Sequence, residues 1–520
     1  MTMPGDALAP SSAQAAAFIQ ELINSDIRDA VVCPGSRSQA LALVLAAAEQ
    51  DGLIRLHVRI DERSAAFLAL GLARASGRPV LVVTTSGSAV ANLWPAVIEA
   101  HHDGVPLLLV TADRPAELIG VGANQATHQE GIFGFAVRES LHVDAPSEQT
   151  LEHDCYQARQ VALGAIRAAS WGRPGPVHVN MAYREPLSGG QARVLRPSPG
   201  WSRAVKPDPL DAEHTDVEVG DGTLVVAGVG AGPAAAEFAQ QHRLPLIAEV
   251  VSGARAGSTV VPHYRGALRA PASGQVRRVV VFGRPTLSRE VTALLSRTDL
   301  DILVVDPVHV EPIRFTAETR VVDAVRGHGA ASDSWLNSWC ARPRPNVPDE
   351  DPRAVVADAV WRTGDPGSPL FVAASGMVRV LDEWATPLAR PVFSNRGLAG
   401  IDGSISTAIG VAHSSGLPAR ALVGDLAFLH DVGGLYLPDT ENRPQVQIVV
   451  VNDHGGTIFR SLEVARADPA LFERVVETPQ HVDVESLAAA YSWPYVRLEP
   501  SQLAAALLER GTGIFEVPVA

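Results

Sequence analysis

Short apolar, β-branched runs alternate along this chain with segments rich in alanine and leucine, and this alternation limits the folds available to it. From Ala30 the order is AVVCP, QALALVLAAAEQ, IRLHVRI, SAAFLALGLARA, PVLVVTT, AVANLWPAVIEA and PLLLVTA. Apolar runs of this kind are typical of strands buried on both faces, and the intervening segments are long enough to be crossover helices. The pattern predicts an α/β fold of mostly parallel sheets flanked by helices.

Two stretches rich in proline and glycine divide the pattern into three blocks. One lies around residues 197–209, and the other begins at Ala341 with ARPRPNVPDEDP. Strand-like runs between them are TLVVAGVG, PLIAEVV, RRVVVFG and DILVVDP, and those after them are PLFVAAS, PVFSN, ALVGD, QVQIVVV and GIFEVPV. The 520 residues suit about three domains. We predict domains at 1–190, 205–342 and 352–520.

Composition excludes several classes of protein. The longest apolar stretches, such as residues 106–110 and 446–451, are far shorter than the ~20 residues that span a bilayer. A net charge of −14 without a long basic run argues against binding to nucleic acid or to an anionic membrane. Cys33, Cys155 and Cys340 are scattered and odd in number, which fits neither a disulfide framework nor a zinc cluster. Because the N-terminus is also unlike a secretory signal, we expect a cytoplasmic protein.

A glycine-rich turn in the middle block superficially suggests a dinucleotide. Gly228, Gly230 and Gly232 follow a predicted strand, as in a Rossmann fingerprint. The last glycine of that fingerprint is missing from its place, and Glu249 is the nearest acid that could hold a ribose. We interpret this block as a Rossmann-like packing domain.

The strongest chemical signal lies in the third block. Asp425 follows the strand in ALVGD, and Asn452 and Asp453 follow a later strand. The interval between them is long enough for a helix and a return strand. The carboxyl ends of parallel strands meet at one sheet edge, where α/β folds bind ligands. Magnesium prefers oxygen ligands and keeps positions for phosphate. A carboxylate, a second side-chain oxygen and a backbone carbonyl would supply half of its shell.

This segment resembles the thiamine-diphosphate motif, which starts Gly-Asp-Gly and ends Asn-Asn. Leu426 replaces the last residue of the opening triplet, a position that donates no metal ligand. Either Asn452 or Asp453 could be the second ligand, and alignment on the following glycines favours Asp453 with the carbonyl of Gly455. The resemblance implies thiamine diphosphate and Mg²⁺, with Mn²⁺ as an alternative metal. The cofactor-binding residues that it implies are Glu62 in the first block and Gly424, Asp425, Leu426, Asn452 and Ile458 in the third.

Glu62 is the candidate catalytic acid of the first block. It lies between IRLHVRI and the next predicted helix. Thiamine-dependent enzymes need a carboxyl group at the pyrimidine ring of the cofactor, and such a group works best when burial raises its pKa. An isolated glutamate at this place would more often be a solvated acid at a helix start. Its sequence context favours the catalytic interpretation.

That context consists of long strings in the first and third blocks. They are CPGSRS, DERSAAFLALGLARASGRPV, TTSGSAVANLWPAVIEA, LLLVTADRPAELIGVGANQATHQEG, SGMVRVLDE, FSNRGLAGIDGSISTAIG and VVVNDHGGTIFRSL. Together they are similar to the 2-succinyl-5-enolpyruvyl-6-hydroxy-3-cyclohexene-1-carboxylate (SEPHCHC) synthase family of menaquinone biosynthesis. The middle block shows little of this resemblance. The family would make the three domains pyrimidine-binding, central and diphosphate-binding.

The resemblance implies a reaction and its partners. In this family, 2-oxoglutarate is decarboxylated and the resulting succinyl carbanion adds to isochorismate in a 1,4-addition, with thiamine diphosphate as the electron sink. Enzymes of this architecture bind the cofactor between two chains. The expected assembly is therefore a homo-oligomer, a dimer or tetramer, with the cofactor at the subunit interface.

Residue chemistry agrees with dicarboxylate substrates. An acidic protein can bind dicarboxylates only through placed cations, and the arginine fork matches a carboxylate. Five arginines lie in loops beside predicted strand ends, with neutral polar residues near them: Arg37, Arg114, Arg289, Arg379 and Arg396, with Ser36, Ser375, Asn124 and Gln125. Pyruvate would need less positive charge.

The resemblance also assigns roles to these residues. The expected catalytic set is Glu62, Ser36, Arg37, Gln125 and Arg396. The expected substrate-binding set is Arg114, Asn124, Arg289, Ser375 and Arg379, with Ile458, Phe459 and Leu462 as an apolar wall. His101-His102, at a predicted helix end before Gly104, is interpreted as structural because histidine there meets the helix dipole favourably.

Two alternative functions stay open at this point. One is an acetolactate-synthase-like or 2-oxo-acid decarboxylase acting on pyruvate, against which the arginine set argues. The other is a thiamine-diphosphate-binding regulator without catalysis, against which the presence of Glu62 argues.

Overall fold

The structure of the chain is a computed structural model. The described residues are 8–190, 192–197, 214–306, 313–316, 318–341, 347–348 and 350–519. Most of the predicted linker at 197–209 and part of the second proline-rich stretch, residues 342–346, lie outside them. The chain divides into two compact units, which are described separately.

The first unit comprises the chain up to residue 208 together with residues 409–415 and 433–443. Its strands are β1 (Asp29–Val32), β2 (Arg55–Val58), β3 (Val80–Thr84), β4 (Leu107–Asp113), β5 (Ser140–Val143) and β6 (Val177–Ala182). Its helices are α1 (Pro10–Asn24), α2 (Gln39–Gln50), α3 (Glu62–Ser76), α4 (Ser88–Ala91), α5 (Trp94–Asp103) and α6 (Leu151–Ser170), with 3-10 turns at Ala116–Leu118 and Gly134–Ala136.

These strands form a six-stranded parallel sheet in the order β2-β1-β3-β4-β6-β5. Every residue of β3 and β4 is buried, as expected of central strands covered by helices on both faces. From β1 the chain adds β2 on one side of the sheet and β3 on the other. A crevice therefore lies beyond the carboxyl ends of β1 and β3. The loops that begin at Cys33 and Thr85 meet at this crevice.

The second unit comprises residues 209–408, 416–432 and 444–520. Its strands are β7 (His214–Glu218), β8 (Thr223–Ala227), β9 (Leu246–Ala248), β10 (Arg278–Phe282), β11 (Asp301–Val305), β12 (Arg320–Val322), β13 (Ala324–His328), β14 (Leu370–Val372), β15 (Val392–Phe393), β16 (Ala419–Gly424), β17 (Val446–Asn452), β18 (Tyr495–Arg497) and β19 (Gly513–Pro518).

The remaining helices are α7 (Pro233–Gln241), α8 (Tyr264–Leu268), α9 (Arg289–Leu295), α10 (Asp333–Cys340), α11 (Pro352–Arg362), α12 (Gly376–Trp384), α13 (Ser404–Ser415), α14 (Asp425–His430), α15 (Pro469–Phe472), α16 (Val484–Ala490) and α17 (Leu503–Glu509). Residues 409–415 of α13 are grouped with the first unit. Short 3-10 segments occur at Pro271–Gln275, Val432–Leu435, Thr457–Ser461, Glu463–Arg466 and Pro500–Gln502, and a π-helical turn at Glu473–Glu477.

Two larger parallel sheets organise the second unit. One has the order β12-β11-β10-β8-β9, and the other has the order β15-β14-β16-β17-β19-β18. In each sheet, the strand that comes first along the chain lies between the next two: β8 lies between β9 and β10, and β14 lies between β15 and β16. The sheet of the first unit has the same arrangement. A separate pair, β7 and β13, also runs parallel. The prediction of mostly parallel sheets flanked by helices is confirmed, and the three predicted domain boundaries stay predictions.

Backbone fills the crevice of the five-stranded sheet. This crevice lies between the loops after β8 and β10, which pair through Val229 and Arg284. A Cβ on Gly228 would lie 2.0 Å from the nitrogen of Pro285, and one on Gly283 would lie 2.3 Å from the oxygen of Val229. Gly228 of the suspected dinucleotide turn and Gly283 of the facing loop therefore permit two loops to pack against each other.

The crevice of the last sheet is arranged differently. It lies beyond the carboxyl ends of β14 and β16, where α12 and α14 begin. The core beneath this sheet includes the buried side chains of Trp361 and Phe515. Loop residues from the five-stranded sheet join the same core: Val229, Val250, Val251 and Leu287.

Candidate active site

Asp425 and Asn452 lie at one edge of the last sheet, as predicted. Gly424, which ends β16, is paired in register with Val451 of β17. Asp425 is buried, and its carboxylate accepts hydrogen bonds from the N–H of Leu426 at 2.8 Å and from Nε2 of Gln480 at 2.6 Å. The same Nε2 lies 3.3 Å from Oδ1 of Asn452. Two oxygens from adjacent strands therefore converge on one electropositive group.

The side chain of Asn452 is held from behind. Its Nδ2 donates to Oε1 of Glu516 at 2.7 Å, and its Oδ1 accepts the N–H of His454 at 3.1 Å. Glu516 is itself buried and bonded by the hydroxyl of Tyr495. These bonds orient the loop that follows β17.

Asp453 points its carboxylate toward the cleft and toward Arg353. Arg353 Nη2 lies 2.8 Å from Oδ2 of Asp453, and the hydroxyl of Thr457 also bonds this oxygen. Burial raises the pKa of Asp425, and the nearby negative charge of Asp453 adds to that rise. Two carboxylates that repel each other at the end of a cleft suit a divalent cation.

Gly455 is required by the geometry of the same loop. Its φ is +145°, and a Cβ there would lie 2.7 Å from the carbonyl oxygen of Glu477. No group of three or more His, Cys, Asp and Glu side chains suited to a metal occurs among the described residues. A cation at this place would need ligands besides the two carboxylates, and a backbone carbonyl and phosphate oxygens are of the right kind. The donor set thus fits magnesium with a diphosphate.

A cavity of about 620 Å³ opens at this sheet edge. Its lining includes most of the predicted residues of this unit: Ser375, Arg379, Gly424, Asp425, Leu426, Asp453, Gly455, Ile458 and Phe459. Ser375 precedes α12, and its buried Oγ has no hydrogen-bond partner among the described residues. A helix start with an unsatisfied hydroxyl is suited to an anion such as phosphate.

Arg379 brings positive charge to the wall of this cavity. The surrounding chain partly desolvates its guanidinium and lowers its pKa, and the charges of Arg265 and Arg289 lower it further. Three arginines near one another favour the arrival of an anion.

Arg396 is buried, with 5% of its surface exposed, and is held by Thr286. Its Nη2 donates to the hydroxyl of Thr286 at 2.8 Å and to the carbonyl of the same residue at 3.2 Å. Of the predicted residues in this unit, Asn452, Arg396, Arg289 and Leu462 lie outside the described lining of the cavity.

In the first unit, Glu62 is the first residue of α3 and is half-buried. Asp61 caps this helix by accepting the N–H of Arg63 at 2.9 Å. Burial raises the pKa of the Cys33 thiol, with the charge of Glu62 as the next largest cause. The Glu62 carboxylate therefore lies near the end of β1, at the crevice of this sheet.

The predicted polar residues of the first unit gather at the same crevice. Burial lowers the pKa of Arg37, and the charge of Arg114 adds to the effect, so the two guanidinium groups are neighbours. Arg114 donates to Oγ of Ser86 at 2.8 Å, and Gln125 donates to the carbonyl of Ser86 at 3.0 Å. Ser36 and Asn124 are exposed on the same loops.

His101 and Glu99 have structural surroundings. Arg138 lies 2.9 Å from Nδ1 of His101, whose ring meets Phe135 edge to face. Glu99 is buried beside Arg74. These contacts agree with the structural interpretation of the histidine pair.

Sequence reasoning missed several residues that shape the site. Ser86 organises Arg114 and Gln125, and its signal is the Ser-Gly-Ser string, which only Thr85 separates from β3. The other residues that were missed are Arg353, Gln480 and Thr286, which act on predicted residues from distant parts of the chain.

One family model matches the chain. Residues 13–132 match the thiamine pyrophosphate enzyme family, N-terminal TPP binding domain. This segment contains Glu62 and the loops of the first crevice.

Curated relatives extend the likeness over almost the whole chain. A 2-succinyl-5-enolpyruvyl-6-hydroxy-3-cyclohexene-1-carboxylate synthase of Leifsonia xyli subsp. xyli is 43% identical, over 98% of this chain and 96% of its own. The enzyme of that name from Kineococcus radiotolerans is also 43% identical, over 97% and 95%. The one from Rhodococcus erythropolis is 38% identical, over 98% and 96%.

The fold also matches a solved structure. The crystal structure of benzoylformate decarboxylase from Polynucleobacter necessarius has a TM-score of 0.69 and 16% identity, and the match covers 98% of each chain. At this identity the likeness concerns the fold. In addition, no helix among the described residues is long and apolar enough to cross a membrane.

Proposed function

The chain belongs to the SEPHCHC synthase family of thiamine-diphosphate enzymes, and from that premise we propose that it decarboxylates 2-oxoglutarate and joins the succinyl group to isochorismate. The product is the compound for which its relatives are named. The observation that carries this proposal is the cleft of the last sheet. There, Arg379 lines the same cavity as the residues suited to a metal and a diphosphate.

Each unit separately offers residues for the cofactor. In the second unit, Asp425, Asp453 and the carbonyl of Gly455 would hold Mg²⁺ or Mn²⁺, and Ser375 at the start of α12 would bond a phosphate oxygen. In the first unit, Glu62 would bond the pyrimidine ring. Bound thiamine diphosphate supplies an electron sink for the carbanion that decarboxylation leaves.

The mutual repulsion of Asp425 and Asp453 supports Asp453 as the second metal ligand. The amide of Asn452 bonds Glu516 and the backbone of His454 and carries no charge, so it attracts a cation less than the Asp453 carboxylate does. We assign Asn452 to the support of the loop.

The arginines would bind the substrate carboxylates. Arg37 and Arg114 are paired in the first unit, and Arg379 lies with Arg265 and Arg289 in the second. In a protein of net charge −14, such groupings raise the local concentration of an anionic substrate. Ile458 and Phe459 offer apolar contact with the carbon skeleton, and Leu462 follows them, bonded through its N–H to the carbonyl of Phe459.

Further features of the family are part of this proposal. The expected assembly is a homo-oligomer with the cofactor between chains. A cytoplasmic location stays the prediction made from the sequence.

The closest competing function is an acetolactate-synthase-like or 2-oxo-acid decarboxylase that acts on pyruvate. The test compares kcat/KM for 2-oxoglutarate and pyruvate, at saturating cofactor and isochorismate, in the wild type and in Arg396→Ala. The wild type should prefer 2-oxoglutarate. Loss of a charge-assisted hydrogen bond worth ~1.5–3 kcal/mol should lower kcat/KM for 2-oxoglutarate about 10- to 150-fold.

Two further variants sharpen this test. Arg396→Lys should restore part of the loss, because an ammonium group cannot reproduce the fork. Arg326→Ala, which removes an exposed arginine of β13, is the matched control and should behave as the wild type. A wild type that prefers pyruvate, or an Arg396→Ala variant that loses both substrates equally, would favour the competing function.

A further inference from the structure

Arg396 donates hydrogen bonds to a loop of the five-stranded sheet. Nε and Nη2 of Arg396 both contact the hydroxyl of Thr286, at 3.1 and 2.8 Å, and Nη2 also contacts its carbonyl at 3.2 Å. Thr286 follows β10, whereas Arg396 follows β15 of the other sheet. The position of the guanidinium therefore depends on the position of this loop.

Glu249 fixes the loop that carries Thr286. It follows β9, is 0% exposed, and accepts the N–H of Thr286 at 3.0 Å and the N–H of Leu287 at 2.7 Å. A carboxylate that accepts two adjacent backbone N–H groups restrains both peptides and satisfies donors that would otherwise be buried unpaired.

Backbone packing makes the same loop rigid. Val229 and Arg284 exchange two backbone hydrogen bonds, of 3.0 and 2.9 Å. Gly283 and Gly228 leave no room for a side chain between the two loops. Leu287 is anchored in the hydrophobic core beneath the sheet that carries Arg396. Thr286 is thus held from its own sheet and from the neighbouring core.

We propose that Glu249 and Thr286 are positioning residues that set the orientation of the Arg396 guanidinium for the carboxylate of the 2-oxo acid. The five-stranded sheet, whose own crevice is filled by its loops, would then contribute to the reaction by fixing an arginine. This inference rests on the proposed function, because it takes Arg396 as a substrate-binding residue.

Positioning has a measurable consequence. An arginine that is free to sample many rotamers must be ordered when the substrate binds, whereas one that is already held keeps its fork ready for a carboxylate. Loss of the Thr286 hydroxyl removes an acceptor of the Arg396 guanidinium but no contact with the substrate, so we expect only about a 2- to 10-fold change. This change should appear in KM for the 2-oxo acid, with kcat changed less than about 2-fold.

The experiment uses the cofactor-loaded enzyme and four single variants. Thr286→Val removes the hydroxyl acceptor, and Thr286→Ser keeps it. Glu249→Gln preserves the size of the side chain while weakening the clamp. Thr292→Val is the matched control, because the Thr292 hydroxyl donates to the carbonyl of Ser288, the N-cap of the next helix. We expect KM to rise in Thr286→Val and Glu249→Gln, and to stay near the wild-type value in Thr286→Ser and Thr292→Val.

A double-mutant cycle separates positioning from general damage. If Thr286 acts through Arg396, Thr286→Val should have no further effect on KM in an Arg396→Ala background. The inference is overturned if Thr286→Val matches Thr292→Val, or if its effect adds fully to that of Arg396→Ala. KM of each variant is measured with the 2-oxo acid that the wild type uses. A wild type that rejects 2-oxoglutarate counts against the proposed substrate, and the cycle still decides the positioning role.

Discussion

The guanidinium of Arg353 lies 2.8 Å from the carboxylate of Asp453. Part of the negative charge of Asp453 is therefore already balanced, so Asp453→Asn should keep a usable ligand oxygen. We expect magnesium-dependent affinity for thiamine diphosphate to fall by less than about tenfold in this variant, and by more in Asp453→Ala, a ranking that calorimetry can measure. Complete loss of metal binding in Asp453→Asn would show that the carboxylate charge is indispensable.

Asp425→Ala should abolish magnesium-dependent cofactor binding. The substitution removes a buried carboxylate at the crevice of the last sheet, and the diphosphate depends on the metal for charge balance. Titration calorimetry with cofactor in the presence and absence of Mg²⁺ is the measurement. Asp358→Ala, in which a half-buried carboxylate is lost from α11, is the control and should bind normally. Unchanged affinity in Asp425→Ala would remove this residue from the metal site.

Glu62→Gln should fold and bind the cofactor but lose proton transfer. The amide cannot replace a carboxyl group that holds a proton at the pyrimidine ring, so exchange of the thiazolium C2 proton into heavy water should slow at least ~10²-fold. Proton magnetic resonance after rapid acid quench measures this rate. Glu152→Gln, another acid in the first turn of a helix, should exchange at the wild-type rate. Near-normal exchange in Glu62→Gln would exclude Glu62 from the mechanism.

The pH dependence of stability should carry a contribution from Glu249. Burial raises the pKa of Glu249 from its ordinary value of 4.5 to about 7; the Asp382 charge adds to the rise, whereas the N–H groups of Thr286 and Leu287 and the Arg396 charge oppose it. The folded state thus binds this proton more tightly than the unfolded state. The resulting stabilisation is complete below about pH 4.5 and is lost as the pH rises through about 7.

Glu249→Gln lacks this proton and should lack this contribution. The melting temperature of the wild type should therefore fall relative to that of Glu249→Gln as the pH is raised from 4.5 to 7. Parallel melting curves for the two proteins across this range would show that Glu249 does not titrate there.

The sequence predicted those parts of the fold and site that depend on local pattern. The apolar runs of β3, β4, β16 and β17 identify buried parallel strands, and strand ends in such sheets meet at one edge. The neighbourhood of Asp425, Asn452 and Asp453 follows from this geometry. Strand β18, in contrast, is short and half-exposed, so its sequence has little apolar periodicity to detect.

Contacts between distant segments could not be predicted in this way. Arg353 and Asp453 are 100 positions apart, and Thr286 and Arg396 are 110 apart. Such pairs depend on how the loops of different sheets meet, which one sequence does not reveal. The turn at Gly228 shows the same limit, because the close approach of Pro285 requires glycine at position 228.

The most direct test of the account is the mass of the product formed from isochorismate and 2-oxoglutarate, with magnesium and thiamine diphosphate present. We predict a compound whose mass equals the summed masses of the two substrates minus that of carbon dioxide. Carbon dioxide should be released only when both substrates are present, or much faster with both than with 2-oxoglutarate alone. Release of carbon dioxide from pyruvate in preference to 2-oxoglutarate, or the absence of any adduct with isochorismate, would contradict the account.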